Sequence, residues 1–360
     1  MTPAAPLALL AELTHRCPLR CPYCSNPMAL ARAAAEMTTE EWARIFREAA
    51  ALGCLQVHLS GGEPTARRDI VEITAAARTA GLYTNLITAG VLLDAGLVER
   101  LKAAGLDHVQ LSVQDAQEGG AERIGGMKGA HARKAMAARL VRAAGLPLTL
   151  NAVVHRQNLQ NLPELIALAL EWNAARIEVA HVQYYGWALE NRDALLPTRE
   201  QLDTATAIVK AARAEHLGRL VIDYVVPDYH ASRPKPCMGG WGQRFLAIAP
   251  GGEVLPCHAA QSITGMVFAN ARDQPLAAIW ADDPAFQVFR GTGWMPAPCR
   301  GCEHAERDWG GCRCQAFALT GDAAATDPAC ALSPHHHLLA EALAEAGSES
   351  FLYREFSARR

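Results

Sequence analysis

The chain has 360 residues, half of them hydrophobic and a fifth charged, so it is long enough to bury a large core with a smaller domain beside it. Its 34 basic and 37 acidic side chains nearly cancel and form no block of like charge, which excludes the strongly basic footprint of a nucleic-acid binder. "MTPAAPLALLAELTHRC" carries no positive region ahead of its apolar residues, and no segment approaches the ~20 apolar residues of a membrane span, so a cytoplasmic protein with no membrane partner is expected.

In chain order, the β-prone runs "LALLAEL", "LQVHL", "LYTNLI", "VQLSV", "LTLNAVV" and "RIEVAHV" predict six strands. Between them lie Ala-rich stretches with helical spacing, such as "EEWARIFREAAALG" and "LVERLKAAG". "TTEE" from Thr38 reads as a capping box, and Gly53, Gly81, Gly105 and Gly145 stand where helices should stop. Strict alternation implies a parallel sheet, open or closed into a partial barrel, because right-handed crossovers allow little else. A dinucleotide-binding domain is the plain alternative, but "SGGEPT" lacks the G-x-G-x-x-G spacing. After the sixth strand come a helix, "PTREQLDTATAIVKAARAEHLG", and a further run, "LVIDYVV". From "PKPCMGG" to about Pro334 the chain turns rich in Gly, Pro and Cys with few periodic runs, as in a small domain held by metal. The expected division is residues 1–225, 226–334 and a helical segment 335–360, with "SPHHHLL" read as a helix start.

Eleven cysteines, an odd number, cannot be a disulfide framework in a reducing compartment, so metal binding is the natural use. Cys17-x3-Cys21-x2-Cys24 follows the first strand and Ser60-Gly61-Gly62-Glu63-Pro64 the second, so both should face one mouth at the C-terminal ends of the strands. An iron–sulfur cubane normally takes four thiolates, and three leave one iron open to a small molecule. Zinc would need a fourth ligand, the nearest being His15; a thioredoxin-like reading of Cys21-Pro-Tyr-Cys24 leaves Cys17 idle.

The cysteine triplet followed by Gly61-Gly62-Glu63-Pro64 closely resembles the radical S-adenosylmethionine (SAM) enzymes. That resemblance implies a partial (β/α)6 TIM-like barrel, a [4Fe-4S] cluster on Cys17, Cys21 and Cys24, and SAM chelated to its open iron. It implies a glycine-rich loop at the methionyl amine and Tyr23 against the adenine. Thr88, Ala89, Ser112, Gln114, Arg123, Asn151 and His155 stand where relatives contact SAM, although many relatives have a carboxylate where Gln114 stands. Each of them is equally well read as a polar group at a strand end.

The later cysteines resemble the SPASM extension of peptide-modifying radical SAM enzymes. Cys237, Gly252-x4-Cys257, Cys299-x2-Cys302, Cys312 and Cys330 match its pattern, but Asp308 stands where a cysteine is expected. The resemblance implies two auxiliary clusters: Cys299, Cys302, Asp308 and Cys330 would hold a [4Fe-4S] cluster. Cys237, Cys257 and Cys312, with Cys314 added, would hold one of two or four irons. Cys54, among apolar residues, is then left as core.

Within this group "LTHRCPLRCPYCSNP", "VQYYGWALENRDALLP", "CMGGWGQ" and "CRGCEHAERDWGGCRCQAFALTGDAAATDPAC" resemble the peptide cyclases of pyrroloquinoline quinone (PQQ) biosynthesis, the PqqE family. That family implies cleavage of SAM to a 5′-deoxyadenosyl radical, abstraction of hydrogen from a Glu side chain of the precursor peptide PqqA, and closure of a carbon–carbon bond onto a Tyr ring. It implies a flavodoxin-like electron donor. With Cys17 so near the N-terminus, no appended peptide-recognition domain is expected, and a separate chaperone, PqqD, is implied. His181, Gln183, Tyr184, Tyr185 and Trp187 would face the peptide, Trp187 being better read as packing at the domain joint. Another SPASM peptide-modifying enzyme, thioether-forming or sulfatase-maturing, shares every cluster motif. A non-catalytic iron–sulfur electron carrier is the alternative from another class.

Overall fold

The computed structural model describes residues 3–355. Strand and helix alternate as β1 (Ala8–Glu12), α1 (Thr39–Leu52), β2 (Gln56–Ser60), α2 (Ile70–Thr79), β3 (Tyr83–Thr88), α3 (Ala95–Ala103) and β4 (His108–Val113). Two helices, α4 (Glu118–Gly125) and α5 (Ala130–Ala143), precede β5 (Leu148–Val154), α6 (Leu162–Glu171) and β6 (Arg176–His181). Short helices α7 (Trp187–Glu190) and α8 (Arg192–Leu195), then α9 (Arg199–Glu215), lead to β7 (Val221–Val225).

Thr38 caps α1 as its residues require: its hydroxyl accepts from Glu41 N while the Glu41 carboxylate accepts from Thr38 N at 2.7 Å. The helix stops at Gly53, where φ of +109° suits a residue without Cβ. Trp42, Ile45, Phe46 and Ala49 recur at helical spacing and bury the inner face of α1 against the sheet.

The sheet runs further than six strands. Its order is β7-β6-β5-β4-β3-β2-β1-β8-β9, where β8 (Phe245–Ile248) and β9 (Val254–Leu255) come from the cysteine-rich segment. β8 lies parallel to β1 with Ala8 opposite Phe245, and β9 is antiparallel to β8. Such short strands between glycines carry too little pattern to be read from sequence, and pairing with β1 supplies what propensity does not. One continuous core of Leu, Ile, Val and Ala from strands and helices fills the sheet's faces, and Cys54 belongs to it.

The cysteine-rich part adds α10 (Leu276–Asp282), α11 (Pro284–Gln287), α12 (Ala305–Asp308) and α13 (Arg313–Thr320). The triple histidine leads into α14 (His337–Glu345), as read from the sequence, but the expected helical segment 335–360 is helical only there: residues 346–355 carry no helix and are held by long-range bonds such as Leu352 N to Asn191 Oδ1, and the last five positions lie outside the described residues. Among the described residues no helix is long and apolar enough to cross a membrane.

Candidate active site

Because β1 to β8 are parallel, their C-terminal ends share one rim. The loop after β1 carries Cys17, Cys21 and Cys24, and the loop after β2 carries Gly61 to Pro64. The two loops hydrogen-bond directly: Gly62 N donates to Thr14 O at 2.5 Å and Glu63 N to Arg16 O at 2.7 Å. That approach leaves no room for side chains. A Cβ on Gly61, whose φ is +132°, would lie 2.3 Å from Thr14 O, and one on Gly62 would lie 2.5 Å from Arg16 O.

Glu63 turns away from the mouth. It is fully buried, and its carboxylate accepts from Thr65 N at 3.0 Å, Thr65 Oγ1 at 2.5 Å, Thr88 Oγ1 at 2.7 Å and Ala89 N at 2.6 Å. It therefore ties the glycine loop to the end of β3. Lys134 of α5, also buried, continues this belt by donating to Ala89 O at 3.0 Å and Ser112 O at 2.7 Å.

A cavity of about 480 Å³ opens inside this rim. Cys17, Cys21 and Cys24 line it together with Tyr23, Gly61 and Gly62. So do Thr88, Ala89, Ser112, Gln114 and Asn151, and, from the sixth strand onward, His181, Gln183 and Tyr185. Glu63, Pro64, Arg123, His155, Tyr184 and Trp187 do not line it. Arg123 instead donates to Gln157 Oε1 at 2.7 Å, Tyr184 stacks edgewise on Tyr229, and Trp187 is buried.

Four titratable residues of the lining were not singled out by the sequence. Glu12 ends β1 and is buried, its Oε2 without a hydrogen bond but 3.7 Å from His15 Nε2; Glu178 of β6 accepts from Asn151 Nδ2 at 2.9 Å and Gln110 Nε2 at 3.1 Å. His258 meets the Tyr185 hydroxyl at 2.5 Å, and Arg354 arrives from the far end of the chain. Charged residues inside apolar strands were the available signal for Glu12 and Glu178; nothing in the sequence pointed to Arg354.

Burial dominates the electrostatics. It pushes the Cys17 thiol up to about 12, with Glu63 and Cys21 adding, and the Cys21 thiol up to about 11, with Cys24 adding; Cys24 is raised as well. The Arg354 charge opposes the rise at all three. Thiolates form in such a place when a cation binds and expels the protons, which is the chemistry of a metal-cluster ligand. Burial also lowers Lys134 to about 8, His155 to about 3 and His181 to about 4.

Apart from Cys54 in the core, the other cysteines fall into two groups. Cys237, Cys257, Cys312 and Cys314 share an apolar nest with Trp241 and Phe289; the Cys237 thiol meets those of Cys257 and Cys312, and Cys257 meets Cys314. Cys299, Cys302, Cys330 and Asp308 line a second small cavity with Thr326, and Asp308 Oδ1 accepts from Gly310 N at 2.9 Å. Among the described residues no three His, Cys, Asp or Glu groups close on a point as they would for a single ion. The donor sets are mostly sulfur, as iron–sulfur clusters require, and so fit those groups.

Residues 11–169 match the Radical SAM superfamily, and residues 237–303 match an iron-sulfur cluster-binding domain, SPASM. A PqqA peptide cyclase of Gluconobacter oxydans (strain 621H) is 62% identical over 341 residues, 95% of this chain and 95% of that protein. One from Methylobacterium nodulans is 60% identical over 96% of this chain and 91% of its own. The chain belongs to the PqqA peptide cyclase family. As a member of that family it is a radical SAM enzyme that binds iron–sulfur clusters and SAM. The cyclase fold is shared with Streptococcus suis SuiB bound to S-adenosylmethionine, at a TM-score of 0.75 and 22% identity over 91% of this chain and 77% of that one. It is shared also with anSMEcpe with bound AdoMet, at a TM-score of 0.63 and 15% identity over 94% of this chain and 97% of that one.

Proposed function

We propose that the protein joins a Glu side chain to a Tyr ring of the precursor peptide PqqA by a carbon–carbon bond, an early step of PQQ biosynthesis in the cytoplasm. The observation that carries this reading is one mouth whose cavity of about 480 Å³ is lined by three cysteines and a glycine loop, in a chain 62% identical to a PqqA peptide cyclase. When bound there, the cluster and SAM supply a 5′-deoxyadenosyl radical able to take a hydrogen atom from the peptide.

The chain's own residues bind, orient and shield. Cys17, Cys21 and Cys24 hold the cluster; Gly61 and Gly62 bring bare backbone to SAM; Tyr23, Ser112 and Asn151 face it from the surrounding rim. Glu63 and Pro64 act from behind, keeping the loop in shape through the carboxylate's four hydrogen bonds. His181, Gln183 and Tyr185 form the wall toward the peptide, and the buried surround keeps out water and stray hydrogen donors. Cys237, Cys257, Cys312 and Cys314 hold one auxiliary cluster, [2Fe-2S] or [4Fe-4S]. Cys299, Cys302, Asp308 and Cys330 would hold the other, a [4Fe-4S] cluster, and groups of this kind would supply one-electron redox chemistry beside the barrel. A flavodoxin-like protein donates the first electron and the chaperone PqqD presents the peptide.

The test is anaerobic: reconstituted protein, SAM, reductant, PqqA and PqqD, followed by 5′-deoxyadenosine and peptide mass. Deoxyadenosine with a loss of two hydrogens confined to Glu and Tyr is expected. Deoxyadenosine with an unaltered peptide would refute the substrate, and its absence would refute the chemistry.

A further inference from the structure

Beyond α14 the chain returns to the barrel mouth as an arm, residues 347–354. Gly347 N donates to Asp193 O at 2.9 Å. Asn191 then clasps Leu352: Leu352 N donates to Asn191 Oδ1 at 2.7 Å, and Asn191 Nδ2 donates to Leu352 O at 2.9 Å and to Pro22 O at 3.0 Å. One side chain thus ties the arm to the cysteine loop. Tyr353 donates from its hydroxyl to Arg123 O at 2.7 Å, and the Arg123 guanidinium lies 4.9 Å from the Phe351 ring centre.

At the end of this arm stands Arg354, 3% exposed. Its Nη1 donates to His15 O at 3.0 Å, and its Nη2 donates to Cys17 O at 3.2 Å and Leu19 O at 3.1 Å. Among the described residues these bonds reach carbonyls of the cysteine loop and no carboxylate. A buried guanidinium that meets only neutral acceptors is costly unless a negative charge lies close by. Arg354 lines the same cavity as the three thiols, and its charge acts on each of them.

We propose that Arg354 is a positioning residue of the SAM-binding cluster, offsetting the cluster's negative charge while its fork of carbonyl bonds holds the cysteine loop in the receiving shape. This rests on the reading of Cys17, Cys21 and Cys24 as cluster ligands. Reduction adds negative charge, so a fixed positive charge beside the cluster raises its potential. The arm joins the far end of the chain to its first loop, making the SAM site a product of both.

The test uses the full-length reconstituted enzyme and three readouts: the midpoint potential of the SAM-responsive cluster, its electron paramagnetic resonance signal with and without SAM, and anaerobic hydrogen exchange at residues 15–24. R354Q is expected to lower the potential, weaken the spectral response to SAM and quicken exchange at least tenfold, with the other iron retained. R354K keeps the charge without the fork; it should restore the potential but leave exchange fast, and it carries the test if R354Q fails to fold. A potential unchanged in R354Q, or displaced in R354K as far as the glutamine variant or by a comparable loss, would overturn the proposal. Wild-type protein with no SAM-responsive cluster would overturn the cysteine reading itself, and this one with it.

Discussion

Gly62→Ala tests the joint between the two loops at its tightest point. The new Cβ would lie 2.5 Å from Arg16 O, 2.6 Å from His15 O and 2.7 Å from the His15 carbonyl carbon. Real contacts of this kind stay above 3.0 Å, so the loops must part by about 0.5 Å, and no side chain is available to rotate away. Overpacking costs about 1–3 kcal/mol, and rigid backbone on both sides puts this case near the top of that range. Parting also weakens the bonds from Gly62 N to Thr14 O and from Glu63 N to Arg16 O, each worth about 1 kcal/mol. A local loss of about 3–5 kcal/mol follows, and at about 1.4 kcal/mol per tenfold it speeds opening by about two to three and a half powers of ten. The assay is anaerobic hydrogen exchange at residues 13–17 and 61–63, read beside iron bound per chain. Gly119→Ala is the control: it sits in α4 with nothing within 4 Å of its Cβ, and should gain about 0.5–1 kcal/mol. G62A exchanging within threefold of wild type, with full iron, would refute the claim that this glycine sets the position of the cysteine loop.

Glu63→Ala strands the buried N–H groups of Thr65 and Ala89, at about 1–3 kcal/mol each, so exchange at those amides should rise at least tenfold while E63Q recovers part of the loss; equal exchange in all three proteins would count against the belt. Asp308→Ala should remove or distort one auxiliary cluster and leave SAM cleavage by the Cys17 cluster intact, which iron analysis and Mössbauer spectra would show; an unchanged spectrum means that Asp308 binds no iron. Burial holds His155 and His181 neutral in the folded chain down to about pH 3 and about pH 4, whereas the unfolded chain takes up both protons below about pH 6.5. Stability from this source is therefore full above pH 6.5 and falls as the pH drops toward 4, by up to about 2.7 kcal/mol per pH unit for the two groups. Urea midpoints between pH 7 and 5 should show H155Q losing half that slope, and an identical slope would defeat the argument.

The parts of the fold that the sequence disclosed are those where one physical requirement repeats. β1 to β6 alternate with helices whose caps are written in Thr38 and Gly53, and the capping box forms with both of its bonds. Gly61 and Gly62 were legible because close backbone approach admits no other residue, although the backbone they approach includes the cysteine loop itself. Glu63 shows the limit: its motif marks the place but not the direction, and the direction is decided by donors on β3 far along the chain. β8 and the 347–354 arm escaped for a related reason. Each is held by long-range partners, β1 for the one and Asn191 with the cysteine loop for the other, and neither leaves a periodic trace of its own.

The pairing of β8 with β1 also bears on how the protein is made. β1 leaves the ribosome well ahead of the strand that covers its outer edge, which begins at Phe245, more than two hundred residues later. Through most of synthesis that edge presents unpaired N–H and C=O groups beside an apolar run, the kind of edge that recruits other chains. The cysteine-rich segment is therefore part of the closure of the sheet as well as a carrier of iron. Its late arrival marks the nascent chain, more than the finished enzyme, as the stage most exposed to aggregation.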